Sequence, residues 1–437
     1  MEVAVRLNRR LAHGTVALPE GVPGVSRLRL GSLLAPVTSL ATTATDRLEL
    51  AADLWEQLSL PYQAIRLDLR TGADGEAELG PAVAMLYAGR PGSISRAIAQ
   101  ERLTLFFGHH AHRPGLFALG FDESIDWEQG VMTGYVMDTR PGREGQAVAT
   151  RFPIPRAVHL RWAIRKEAID RFRTLTGNRV FNWVRNMSKW EFYSLMAAEP
   201  DLAAYLPETR LLRSHVDLAA MLVKHGEVYV KHVFGIQGRA NARVKLFGGG
   251  FHITRIEEGR PVETTVADLA NLRTTLREVL GQGRLVVQEG LALHGVKGRK
   301  LDFRLLVAPA SEGGWRCLFA HAKVANDSET LFTNLANGAQ DTDPVAALME
   351  HHGLPPAEAM AVMERMVGLC LRAAPVLDQV YHPLCLLGFD VAREAATGRI
   401  TLLEANTVPG WGYSPEVEQE LARAVTDFAC HLAQADA

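Results

Sequence analysis

The sequence predicts an α/β protein of the mixed α+β kind, organised as two or three domains, and three observations carry that expectation. A chain of 437 residues exceeds what a single core usually holds. Hydrophobic residues make up 47% and charged residues 22%, the balance of an ordinary globular protein. After Pro207, strand-like runs outnumber helical ones and often follow one another directly, which points to antiparallel sheet decorated by helices instead of a regular βαβ winding. The net charge of −2 offers no basic surplus for nucleic-acid binding. No apolar run reaches membrane-spanning length, and MEVAVRLNRRLAHG lacks the apolar stretch of a signal peptide. Cys317, Cys370, Cys385 and Cys430 form no CxxC pair and read as reduced core residues, so a cytoplasmic location is expected.

Taken in order, residues 1–78 alternate short apolar runs with Gly, Pro and Thr turns and read as a small β-rich module. Within it, residues 46–58 show helical spacing. The module is expected to be separable, with a boundary in the turn-rich 72–78 stretch. A second part, residues 79–206, opens with the apolar strand GPAVAML and continues with a helix from Ser93 or Ser95. Residues 207–437 carry strands near 227–233, 242–247, 251–256, 284–289, 302–308, 316–324, 385–392 and 400–404. Helices are expected near 216–225, 265–280, 345–352, 356–380 and 415–434.

Four blocks in this last part carry chemistry. In YVKHVFGIQGRANARVKLF a strand ends at Lys231, and Gly235, Gln237 and Gly238 follow. Glycines let backbone N–H groups approach a phosphate, and the lysine supplies a point charge. A basic hairpin with two turn glycines has the same pattern. In LVVQEGL an apolar strand ends at Gln288 and Glu289, where backbone groups can meet an adenine edge and a carboxylate can meet ribose hydroxyls. In LDFRLLV, Asp302 and Arg304 share a strand face, with Lys323 at the end of the next strand; a structural ion pair or a ligand site both satisfy this. Finally, LLGFDV buries Asp390 in one strand, and TLLEANTVPGW puts Glu404 and Asn406 on one face of another. Two carboxylates and an amide oxygen are hard ligands suited to Mg²⁺ shared with phosphates.

The order of these blocks resembles the ATP-grasp superfamily, most closely its endospore coat-associated YheC/YheD family and more distantly the ribosomal-protein glutamate ligases. The resemblance covers roughly residues 80–437. It implies an ATP-grasp fold behind a pre-ATP-grasp domain, with ATP and Mg²⁺ as cofactors. Lys231 and the Gly235–Gly238 flap would then meet the nucleotide phosphates, and Gln288, Glu289 and Leu291 the adenine and ribose. Arg304, with Asp302 beside it, and Lys323 would face the phosphates; Lys323 stands where arginine is usual. Asn334 in FTNLANGA would lie near the terminal phosphate, and Asp390, Glu404 and Asn406 would hold magnesium. The activity implied is ADP-forming carboxylate–amine ligation through an acylphosphate, on small-molecule or peptide substrates. An ATP-binding coat or assembly protein without turnover, or a phosphotransferase, are the other readings; a homo-oligomer is compatible with all three.

Outside these blocks, FFGHHAHRPG holds His109, His110 and His112, but no cysteine or acid near them in the sequence completes a metal set, so it reads as a surface loop. His351 and His352 read as favourable charge at a helix C-terminus. Met360, Met363 and Met366 lie at helical spacing and read as core.

Overall fold

Leucines spaced two apart, Leu28 and Leu30, Leu48 and Leu50, Leu67 and Leu69, put one face of their strands into a core. In the computed structural model these strands join an eight-stranded sheet: Leu33–Pro36, Arg27–Leu30, Glu76–Gly80, Ala64–Thr71, Glu2–Leu7, Arg47–Leu50, Thr15–Leu18 and Thr38–Ala41, in spatial order. The described residues are 1–435 except 73, 162–163, 185–186, 235–240, 258–259 and 327–338. The chain divides into two compact units. The first is Met1–Trp183 with His382–Cys385 and Gly410–Ala437; the second is Val184–Tyr381 with Leu386–Pro409.

In the first unit, a second sheet runs Ala147–Pro153, Val131–Met137, Leu116–Asp126, Ala82–Tyr87, Ala157–Leu160, Val180–Phe181. Ala82–Tyr87 is buried throughout and pairs in parallel with both neighbours, as an apolar run between helices should. The helix Arg96–Phe107 starts at Ser95, whose hydroxyl accepts from Ile98 N. Residues 46–58 are only partly helical: RLEL alternates buried leucines with an exposed Arg47 and a half-buried Glu49 and forms the strand Arg47–Leu50, leaving Ala52–Gln57 as the helix.

Residues 1–78 do not close a core of their own. One continuous core runs from Val3 and Leu30 through Leu79 to Leu116, Val136, Phe152 and Val180. Tyr62 OH donates to Met137 O at 3.1 Å, and Thr139 N donates to Tyr62 OH at 3.1 Å. Gly31, at φ +59°, lets the backbone come so close to Ile154 O that a Cβ would stand 2.4 Å from it.

The second unit holds two antiparallel sheets. One runs Thr209–Leu211, Leu285–Glu289, Glu227–His232, Asn241–Phe247, Gly250–Glu257, Arg260–Val266; the other runs Gln340–Thr342, Trp315–Val324, Leu301–Pro309, Leu387–Arg393, Ile400–Asn406. The helices His215–His225 and Leu269–Leu280 bury Leu218, Leu222, Leu272 and Leu276 against Val228, Val230, Val244 and Val287. A capping box between Ser214 and Asp217 opens the first of them. The second starts four residues later than its periodicity predicts, because the β-branched run RPVETTV pairs as a strand and Asp268 then caps the helix by accepting from Asn271 N. Gly248 and Gly249, at φ +53° and +84°, make the two-residue turn between Phe247 and Gly250. His351 and His352 are buried, and burial pushes His352 down to about 4, so neither acts as the helix-end cation that the sequence suggests. No helix among the described residues is long and apolar enough to cross a membrane.

A chain beginning at Leu79 should therefore lose the cooperative melting of the first unit, since deletion strips one face from its core. Calorimetry of that fragment checks this; a fragment that melts like the full chain would overturn the shared core.

Candidate functional site

The strand Glu227–His232 alternates, so Val228 and Val230 enter the helix-packed core and Tyr229 and Lys231 take the opposite face. Register sets their neighbours: Tyr229 stands opposite Gln288 and Lys231 opposite Val286. Lys231 Nζ donates to Gln288 Oε1 at 2.6 Å, and Gln288 Nε2 donates to Thr209 Oγ1 at 2.9 Å. Together with Lys189, Phe192, Leu402 and Glu404 these residues line a cleft in the second unit. Burial pushes Lys231 down to about 8, against the opposing pull of Glu404. A second lysine, Lys300, only 4% exposed, donates to Tyr229 OH at 3.0 Å and is likewise pushed to about 8 by burial, with Arg243 adding to the effect.

On the second sheet, antiparallel register lines up His321, Arg304, Asp390 and Glu404 across four strands. Directly opposed residues share a face, so the alternation read in LDFRLLV places Asp302 and Arg304 together as expected. Arg304 Nε and Nη2 grip Asp390 Oδ1 and Oδ2, both at 2.8 Å. Lys323 Nζ lies 3.1 Å from Asp390 Oδ1 and 2.9 Å from Asp302 Oδ1. Burial alone would push the Asp390 carboxyl up; Arg304 and Lys323 outweigh it and hold the group far below the usual carboxylate range. Burial also acts to lower Lys323, but Asp302 and Asp390 outweigh it and raise the ammonium above its ordinary value.

The Ile400–Asn406 strand carries a bulge beside Asp390, where Glu404 pairs with Asp390 and Leu402 with Val391. Lys189 Nζ lies 3.8 Å from Glu404 Oε2. Asn406 Nδ2 is buried with no hydrogen-bond partner among the described residues, so none of these holds the amide against turning its oxygen there instead. Two acids on adjoining strands beside such an amide form a donor set that fits magnesium.

Gln288 lines the cleft, but the Glu289 side chain does not. Its strand position pairs with Val228 on the other face, and its carboxylate is taken by Arg399 Nη1 at 2.7 Å, with His225 Nδ1 at 3.6 Å. Alternation after Gln288 turns the carboxylate expected to meet ribose to the other face of the sheet from the Gln288 amide. Leu291 follows the strand end and is also outside the cleft lining. Gly235, Gln237, Gly238 and Asn334 lie outside the described residues.

Sequence reasoning missed Lys189, Thr209, and His321 with Asp341. Lys189 did leave a signal: it is the first residue of a helix capped by Ser188, where a cation opposes the helix dipole and needs a compensating partner such as Glu404. His321 Nδ1 lies 2.8 Å from Asp341 Oδ1, its ring stacks on Phe319 with centroids 5.5 Å apart, and burial lowers its pKa. That pairing crosses a sheet edge, and nothing in the local pattern announces it.

A family model described as YheC/D like ATP-grasp matches residues 177–432. The endospore coat-associated protein YheD of Bacillus subtilis (strain 168) is 24% identical over 379 residues, covering 83% of this chain and 79% of that protein. Among solved structures, D-cycloserine synthetase DcsG aligns at 14% identity and a TM-score of 0.45, over 80% of this chain and 99% of that one. The ATP-grasp ligase PsnB, complexed with precursor peptide PsnA2 and AMPPNP, aligns at 14% identity and a TM-score of 0.44, over 81% and 99% of the two chains.

Two stability outcomes follow from the geometry. Asp390→Asn should destabilise the ligand-free chain by roughly 3–5 kcal/mol, since it removes the buried carboxylate that Arg304 grips and that Lys323 shares with Asp302; urea denaturation measures it. Lys231→Met should stabilise the ligand-free chain by roughly 1–3 kcal/mol near neutral pH, by removing a desolvated charge. The folded-state pKa of Lys231 is depressed from 10.5 to about 8, so the folded state binds fewer protons than the unfolded one. Its cost is full below pH 8 and is relieved as pH rises towards 10.5. The gap between variant and wild type should close across that interval.

Proposed function

The matched family model spans more than half of the chain, which therefore belongs to the YheC/D like ATP-grasp family, and on that premise we propose that it is an ADP-forming ligase joining a carboxylate to an amine. The observation that carries the reading is the convergence of Lys189, Lys231, Gln288 and Glu404 on one cleft, with Glu404 continuing into the row of Asp390 and Arg304. Gln288 and Thr209, with the strand-end backbone at Glu289 and Leu291, bind the adenine end of ATP. Lys231 and Lys189 take phosphate oxygens, and Arg304 and Lys323 offset the charge that develops on the transferred phosphoryl group. Asp390, Glu404 and Asn406 would hold magnesium, which when bound neutralises phosphate oxygens. Gly235, Gln237, Gly238 and Asn334 belong to the same reading through the family resemblance alone.

In this reaction the substrate carboxylate attacks the γ-phosphorus, ADP leaves, and an amine then displaces phosphate from the acylphosphate. A carboxylate is ionised at neutral pH and requires no base. The His321–Asp341 pair beside Arg304 favours a second reading, transfer to a hydroxyl, because a neutral imidazole oriented by a carboxylate can accept a hydroxyl proton. Membership of a family named for coat-associated proteins keeps a third, ATP binding without turnover.

Glu404→Gln is the cleaner test of nucleotide binding, as the amide keeps the side chain's size beside Asp390 and leaves the Arg304 and Lys323 contacts of Asp390 in place. It should weaken MgATP binding by roughly tenfold or more in titration calorimetry while the ligand-free melting temperature is kept. An unchanged affinity would remove Glu404 from the site. With a carboxylate found by screening for ADP release, hydroxylamine should trap a hydroxamate. A stable phosphorylated product that disappears in His321→Gln would establish the hydroxyl reading instead, and AMP with pyrophosphate would exclude both.

A further inference from the structure

The turn that follows the Arg96–Phe107 helix carries two adjacent histidines, and the fold supplies the acid that their own segment lacks. Asp427, on the helix Pro415–Gln434, comes from 317 residues further along the chain. His110 Nε2 lies 3.0 Å and His109 Nε2 3.5 Å from the same atom, Asp427 Oδ1. The two imidazole rings sit side by side with centroids 4.2 Å apart, and all three donor atoms lie within 4.8 Å of one another. Thr426, the residue before Asp427, donates its hydroxyl to Phe106 O at 2.6 Å, which fixes the position of the helix opposite the turn.

Ligands held about 2.0–2.1 Å from zinc at tetrahedral angles stand roughly 3.3–3.4 Å apart. The separations of 3.0 and 3.5 Å bracket that value. A second observation points the same way: His109 Nε2 is buried and directed at the same carboxylate oxygen, and at 3.5 Å it forms an ion-pair contact longer than a good hydrogen bond. Two imidazoles meeting one carboxylate oxygen also form a plain ion-pair cluster, but only a shared cation would use the lone pairs of both ring nitrogens at once.

We propose that His109, His110 and Asp427 form a binding site for a first-row divalent transition metal, zinc being the probe of choice. The Asp427 side chain is about half exposed, so ions have a way in and water can complete the coordination. Cys430 lies one helical turn beyond Asp427, but burial pushes its thiol up to about 12, so it adds no thiolate. The donor set is therefore two imidazoles and a carboxylate, which selects zinc or nickel over magnesium and calcium. Loaded, the site links the 96–110 segment to the 415–434 helix, both within the first unit.

The test uses the full chain without an affinity tag, stripped of metal and dialysed against micromolar zinc in excess magnesium, with elemental analysis of the protein. One zinc per chain is expected, together with a rise of several degrees in melting temperature. Both effects should vanish in His109→Ala and in Asp427→Ala, and persist in His112→Ala. The His109 variant is decisive, because a His110–Asp427 ion pair would not depend on it. Cobalt in place of zinc should give the visible absorption of a low-coordinate nitrogen–oxygen site. Failure to bind zinc at micromolar concentration, or stoichiometric binding that survives both substitutions, overturns the proposal.

Discussion

The grip of Arg304 and Lys323 on Asp390 is the interaction on which the second unit's candidate site is built. An ionised carboxylate in that position would be untenable by itself, and two cations cost less to bury when they share it. The sheet keeps this balance by register: Asp302 opposite Lys323, Arg304 opposite Asp390, Asp390 opposite Glu404. A slip of one residue in any pairing would turn the charges onto the helix-packed side. The buried ion cluster and the hydrophobic core are thus two faces of one constraint.

The same balance explains how a polyanion could be received without large rearrangement. Cations already desolvated and oriented need little reorganisation when a phosphate shares them with Asp390. Lys231 differs. Among the described residues its hydrogen-bond partner is an amide, and its pKa is depressed, so it is a cation that gains from an incoming negative charge. On the proposed reading, stability is given up at Lys231 and retained at Lys323.

What could be read in the sequence was whatever obeys a period. Alternation in LDFRLLV and TLLEAN put Asp302 with Arg304 and Glu404 with Asn406, and eight of the eleven described strands of the second unit were anticipated to within two residues. Partners in space were another matter. Glu289 looked like the natural companion of Gln288, but pairing with Val228 assigns the two residues to opposite faces. The strand Arg260–Val266 was hidden because its neighbours carry the helical spacing of Leu269–Leu280. Asp341 beside His321 and Asp427 beside His110 arise from tertiary contact alone, which no local pattern encodes.

The division of the chain has a bearing on its synthesis. The first unit opens at Met1, is left at Trp183, and is taken up again only for His382–Cys385 and Gly410–Ala437. Its sheets can pair as they leave the ribosome, but the helix that carries Thr426 and Asp427 is made only after the second unit's residues. Domains that lie in one stretch can finish folding in order of translation. Here the segment made first must wait, part-built, while some two hundred residues of another unit are produced. During that interval the groups destined to meet the Pro415–Gln434 helix, Phe106 O among them, face solvent or chaperones, which leaves the first unit exposed until that helix arrives.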